Sequence, residues 1–334
     1  MDTDRHPALR ARARVGAVIL GAMLLAGCAI RAETPPPEAP TPGPLEVVRQ
    51  DAALASADLA EIAGVAAAET LDERRFAALE RIRLDAEAHV EALGGVYSVE
   101  EGGVLEDDPL EEDEIVDDET SEDGTVDDEP VNPADLVVAL TTQAAAARSA
   151  ADRVDDAGLA RLLVVVATAR LLAADSLARN IDADRPQLDE GRPPASLPTG
   201  PTISDVAAIV VAEDQAAFAL ELVAARSADR VRDRARSTAQ RHRATSDAWA
   251  KLAGLDDPGL DPRSVSYALD GALDTEESRA ELAARVERAL VTGYASLVAR
   301  SEPGHRAALA VLHTLASVSA RRWGHPPGAL PGLE

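Results

Sequence analysis

"LARLLVVVATARLLAADSLA", residues 159–178, is the stretch on which the fold turns. Its centre, Val164-Val165-Val166, is a β-branched run of the kind a buried strand uses. Its length argues otherwise, because strands end after roughly 4–8 residues and this stretch carries no turn signal. Twenty-odd residues without such a signal favour a buried helix. Upstream, Ala55, Leu59, Ile62 and Ala66 form one helical stripe. Phe76, Leu79, Ile82, Ala86, His89 and Leu93 form the next. Thr70-Leu-Asp-Glu73 reads as a capping box opening that second helix, and Gly94-Gly95 closes it. Asn132-Pro133 reads as the N-cap and first turn of a third helix, to about Val154. The quoted stretch is then a fourth, over roughly 157–180.

Downstream, residues 181–202 hold five prolines and read as a linker. Four further helical patterns follow. Ser204 is placed to cap a fifth helix, to about Arg226, and a sixth runs from about 228 to Ala253, stopped by Gly254. Asp274-Thr-Glu-Glu277 opens a seventh, with Leu282, Val286, Leu290, Tyr294 and Leu297 on one stripe. The eighth carries Leu309, Leu312, Ala316, Ser319 and Trp323 before Gly324. Alanine and leucine dominate and aromatics make up only 2% of the chain, which suits close-packed helices. The expected fold is all-α, with two tandem four-helix bundles over 46–180 and 203–334.

The first 45 residues carry an address. Arg5, Arg10, Arg12 and Arg14 precede an apolar run, Val15 to Ala26, and small residues precede Cys28, the only cysteine. That is the layout of a secretory signal, and the run is too short to span a bilayer. Leu25-Ala26-Gly27-Cys28 resembles a bacterial lipobox. The resemblance implies a signal peptide over 1–27 and a diacylglyceryl lipid on Cys28, with the body tethered to the outer face of the cytoplasmic membrane. An ordinary signal peptide with a chance cysteine is the alternative. Residues 28–45, rich in proline, read as a stiff tether.

The net charge of −26 is concentrated. Residues 99–130 hold seventeen Asp plus Glu and no Lys or Arg. This acidic insert, 99–131, reads as a solvated, disordered loop that binds divalent cations weakly and nonspecifically. An EF-hand register with Gly124 at the turn puts Pro130 where the final glutamate is required. The sixth helix offers a basic counterpart, Arg226, Arg230 and Arg234, with Asp229 and Asp233 within pairing distance along the helix. An acidic balance with few aromatics argues against nucleic acid as a partner.

From about Ile203 onward the chain resembles a ferritin-like family of unknown function, found mainly in actinobacterial exported and lipid-anchored proteins. The residues that carry this are Ala212-Glu213, His242-Arg243, Ser266-Tyr267-Ala268-Leu269, Val286-Glu287, Trp323-Gly324 and Leu330-Pro331-Gly332-Leu333. The chain departs from the family pattern at Asp270, where proline is usual, and at Leu330, where phenylalanine is usual. The resemblance implies a ferritin-like bundle and no particular activity.

Di-metal proteins of this architecture use single glutamates on two helices and Glu-x-x-His on the other two. Here Glu213 and Glu287 supply the single glutamates, and His242 and His313 the histidines. The positions three before the histidines are Ala239 and Ala310. Two of four carboxylates are therefore missing, and no metal or other cofactor is expected. A mononuclear site of two His and two Glu remains chemically open. The bland readings make His242 a core histidine beside Arg241 and Arg243, and His313 partly exposed. No nucleophile elbow or phosphate loop occurs. Two functions follow. One is a non-enzymatic interaction or scaffold module with a protein partner the sequence does not identify. The other is a metal-binding or redox protein using a degenerate ferritin-like site.

Overall fold

The computed structural model describes residues 42–96, 132–188, 191–269, 271 and 273–333. The signal segment, Cys28, the tether up to residue 41 and the acidic insert lie outside the described residues. Within them are eight α-helices and no strand. These are α1 (Pro44–Glu69), α2 (Glu73–Ala92), α3 (Pro133–Arg153), α4 (Ala157–Ile181), α5 (Ile203–Ala225), α6 (Asp229–Ala253), α7 (Glu276–Arg300) and α8 (Ala307–Arg322).

The quoted stretch is α4, and its neighbours explain its composition. It packs on α2 and α3 on one side and on α7 and α8 on the other. Val164, Val165 and Val166 are all fully buried. An enclosed helix has no polar face to keep wet, so β-branched residues cost it little beyond their weaker helix propensity. Among the described residues α4 is the one helix long and apolar enough to cross a membrane, and 67% of its most apolar window is buried inside the protein.

Helices pair in sequence as α1–α2, α3–α4, α5–α6 and α7–α8. The pairs then join out of order. α1 packs on α3, α2 on α4, and α5 on α7 rather than α6 on α7. Such a bundle needs a connection across its end, and residues 255–275 supply it between α6 and α7. Tyr267 pins this crossover. Its hydroxyl donates to Asp214 Oδ2 at 2.8 Å, and its ring meets Phe218 edge-on at 5.8 Å. Arg263 adds ion pairs to Asp261 and Asp247.

Three caps sit in a different register from the one the sequence suggests. The N-cap of α2 is Asp72, which accepts from the Arg75 amide, while Thr70 closes α1. The N-cap of α5 is Thr202, in a reciprocal box with Asp205, and Ser204 lies inside the first turn. For α7 the box is Thr275 with Ser278 rather than Asp274 with Glu277. In each case a competing cap lies within two residues, and the side chain that reaches the N3 amide prevails. Phe76, placed on the α2 stripe, is 47% exposed. Asp229 and Asp233 form no ion pair with the arginine stripe of α6 among the described residues. Arg234 instead donates to the Arg322 carbonyl at 3.0 Å and lies 5.4 Å above the Trp323 ring.

One apolar cluster runs from Ala144, Leu163 and Val164 to Leu220, Leu290 and Leu309, so the two sets of helices share a core. Polar contacts follow the same boundary. Arg306, 2% exposed, donates to the carbonyls of Ala151 and Val154 at the end of α3, both at 2.5–2.8 Å. Those are carbonyls that a helix terminus leaves without an internal partner. Gly200, at φ +107°, ends the proline-rich connection with its Cα so close to α7 that a Cβ would stand 2.2 Å from the Arg300 carbonyl oxygen.

Candidate functional site

The interior of α5–α8 holds a chain of polar side chains with one member or more from each helix. Glu213 comes from α5, His242 from α6, Glu287 from α7 and Ser319 from α8. Their exposures are 2%, 5%, 0% and 5%. Apolar stripes place them there. Leu282, Val286 and Leu290 carry Glu287 inward on α7, and Ala235 and Ala239 do the same for His242 on α6.

His242 lies between the two carboxylates. Its Nδ1 donates to Glu213 Oε2 at 2.6 Å and its Nε2 to Glu287 Oε1 at 3.2 Å. A neutral imidazole has one donor only, so donating at both nitrogens requires the imidazolium. Burial alone would lower the His242 pKa. The Glu287 charge and the Glu213 hydrogen bond outweigh burial and raise it to about 10. Each carboxylate takes a second donor, Tyr294 O–H on Glu213 Oε1 and Ser319 O–H on Glu287 Oε1. Burial and the Glu213 charge push the Tyr294 pKa well above that of free tyrosine, so its hydroxyl stays a donor. The Trp249 indole N–H lies toward the same phenol without a hydrogen bond of normal geometry. Glu287 Oε2 is buried and has no partner.

The structure thus brings together Glu213, His242 and Glu287, and leaves His313 elsewhere. His313 is fully buried, not partly exposed. It faces α4, where its Nδ1 meets Thr168 Oγ1 at 2.9 Å, and its Nε2 donates to the Pro331 carbonyl at 3.1 Å. Burial lowers its pKa to about 4, so it is neutral. His89 is alike. It is 2% exposed, its Nε2 bonds the Ala329 carbonyl at 2.8 Å, and burial lowers its pKa to about 4. Arg243 does not serve the site. It pairs with Asp214 and Glu221, and Arg241 has no partner among the described residues.

This donor set does not fit the metal centre that a ferritin-like bundle implies. Ala239 and Ala310 stand where two carboxylates are needed, and His313 points to the other side of α8. Both nitrogens of His242 and three of the four carboxylate oxygens are already engaged. Among the described residues no group of three or more His, Cys, Asp or Glu is arranged to hold a metal ion. What the arrangement does chemically is hold one proton on His242 between two carboxylates, shielded from water.

Tyr294 and Ser319 are the members that sequence reasoning misses as site residues, since the pattern presents both only as stripe positions. A hydroxyl on an otherwise apolar stripe is the signal that marks them, because a buried donor seeks an acceptor.

Residues 206–334 match a protein-family profile described as a domain of unknown function (DUF4439). The match takes in the site residues of all four helices and Tyr267. No curated protein and no solved structure matches the chain.

Proposed function

We infer that the protein is a membrane-anchored extracytoplasmic lipoprotein whose helical body is a non-enzymatic interaction or scaffold module. The observation that carries the second half of this reading is His242. Its imidazolium bridges Glu213 and Glu287 and so occupies the place of a bridging cation, and Tyr294 and Ser319 each add a donor to one carboxylate. A centre closed by its own side chains supports a role in fixing the fold rather than in turning over a substrate. The anchor rests on Leu25-Ala26-Gly27-Cys28 behind a charged and apolar leader. Two or more acyl chains hold a protein stably at a membrane where one does not. A partner protein, rather than nucleic acid, suits the acidic chain.

Cys28→Ala tests the anchor. The variant is expected in the soluble fraction, and retention in the membrane pellet after a high-salt wash would remove the lipoprotein reading. Elemental analysis of protein purified without chelator tests the module. One observation favours the second reading, a metal-binding or redox protein: the bare, buried Glu287 Oε2. Stoichiometric iron, zinc or manganese that is lost in His242→Gln would establish that reading in place of the first.

A further inference from the structure

Arg170, in the middle of α4, is 2% exposed, yet no carboxylate lies within ion-pair range of it among the described residues. Its guanidinium meets only neutral oxygens: Ser56 Oγ at 2.7 Å, the Gln143 carbonyl at 3.3 Å and the Ala52 carbonyl at 3.4 Å. Its Nε has no partner, and neither has the nearby buried Gln143 Oε1. Burial lowers its pKa to about 10, which leaves it cationic at neutral pH. An unpaired buried charge is costly. Among the described residues the other buried cations have acidic groups near them. His242 has two carboxylates in contact. Arg306, though its guanidinium bonds only carbonyls, lies within the field of Asp152, Asp155 and Asp156.

A cavity of about 220 Å³ opens beside this charge, between α1 and α3. Val48, Ala52, Ala55, Ala147 and Leu163 form apolar walls, and Arg170 is the buried charge among them. Asp51 and Arg153 stand at its exposed rim. Small alanine side chains leave space where larger ones would fill it. The cavity therefore combines apolar walls with a buried guanidinium at its inner end and one acid and one base, Asp51 and Arg153, at its rim.

We propose that this cavity is a binding site for a small amphiphilic carboxylate, with the carboxylate on Arg170 and an alkyl body between α1 and α3. The carboxylate supplies the countercharge that the described residues do not, and the body covers the alanine walls. Guanidinium suits this role because its planar donors match a carboxylate. The site is independent of the Glu213–His242–Glu287 chain and of the membrane anchor.

The test uses the purified full-length protein with octanoate, octanol and acetate as probes, read by titration calorimetry and thermal unfolding. Octanoate is expected to bind saturably and raise the Tm, while octanol (no charge) and acetate (no alkyl body) bind at least tenfold more weakly. Arg170→Met is expected to weaken octanoate at least tenfold without lowering the ligand-free Tm, because it removes the cost of burying an unpaired charge. Equal binding of octanol and octanoate would overturn the proposal, since the charge would then play no part. So would a lower Tm in Arg170→Met with octanoate binding intact. Should Arg170→Met fail to fold, Ala146→Trp decides. It fills the rim from an exposed position of α3, and octanoate affinity that survives it would equally overturn the proposal.

Discussion

At the centre of α5–α8 the buried cation is His242, held by two carboxylates that are themselves held by Tyr294 and Ser319. In α1–α4 the buried cation is Arg170, held by a hydroxyl and two carbonyls. The two sets are built from the same kind of helix and join their hairpins in a similar order, so the backbone does not dictate the difference. Side chains at single positions do. A glutamate on each of two helices closes one interior, and alanines on α1 and α3 leave the other open beside its charge. A four-helix scaffold thus accommodates either a self-neutralised interior or one with a free charge, depending on a handful of residues.

The comparison breaks most sharply at His242. His242→Gln leaves Glu213 and Glu287 buried face to face, and is expected to cost about 3–5 kcal/mol in chemical denaturation, the range for removing one partner of a buried ion pair. A loss below about 1 kcal/mol would show that water reaches the carboxylates, and the two interiors would then differ little.

Next in size is the response to pH. The folded pKa of His242, about 10, lies above its unfolded value, so its contribution is fully present below about pH 6.5 and is lost as pH rises toward 10. His313 and His89, at about 4, behave oppositely. They stay neutral in the fold while the unfolded chain takes up protons, so stability falls as pH drops from about 6.5 to 4. Unfolding free energies should therefore fall on both the acid and the alkaline side by a few kcal/mol, since each tenfold difference in proton affinity between the folded and unfolded chain is worth about 1.4 kcal/mol. His242→Gln should flatten the alkaline limb alone and His313→Asn part of the acid limb. An alkaline limb unchanged by His242→Gln would refute the imidazolium.

The joint between the two sets gives a smaller effect. Gly200→Ala forces a side chain into a left-handed backbone and against the Arg300 carbonyl. It is expected to cost about 1–3 kcal/mol, and a neutral result in thermal unfolding would mean that this connection yields readily. Smallest is the solvated extreme, Arg234 over Trp323. Arg234→Ala should cost about 0.5–1 kcal/mol, which sharpens the contrast with His242 and Arg170.

Much of this is legible in the sequence because periodicity and stop signals are local. Gly254, Gly94-Gly95 and Asn132-Pro133 mark helix ends where they are expected. Caps are less legible, because Thr70, Asp72 and Glu73 offer overlapping registers and only side-chain reach chooses among them. The Glu213–His242–Glu287 grouping is legible through the spacing that a ferritin-like bundle demands. The place of His313 is not, for a physical reason. α8 is buried on two sides, one toward Glu287 and one toward α4, and a stripe does not say which neighbour it meets. Arg170 is hidden for a similar reason, since an arginine in an apolar helix gives no hint of whether it finds a carboxylate.

Because α4 wedges its apolar sides between α2 and α3 on one flank and α7 and α8 on the other, the matched stretch 206–334 is not expected to fold alone. Expressed by itself, it would present the surface that α4 covers, including His313 and Thr314, to water. The unit on which heat acts is the pair of bundles, so calorimetry of the whole protein should record a single transition for both. For the same reason, a lesion deep in one bundle lowers the melting point of the other.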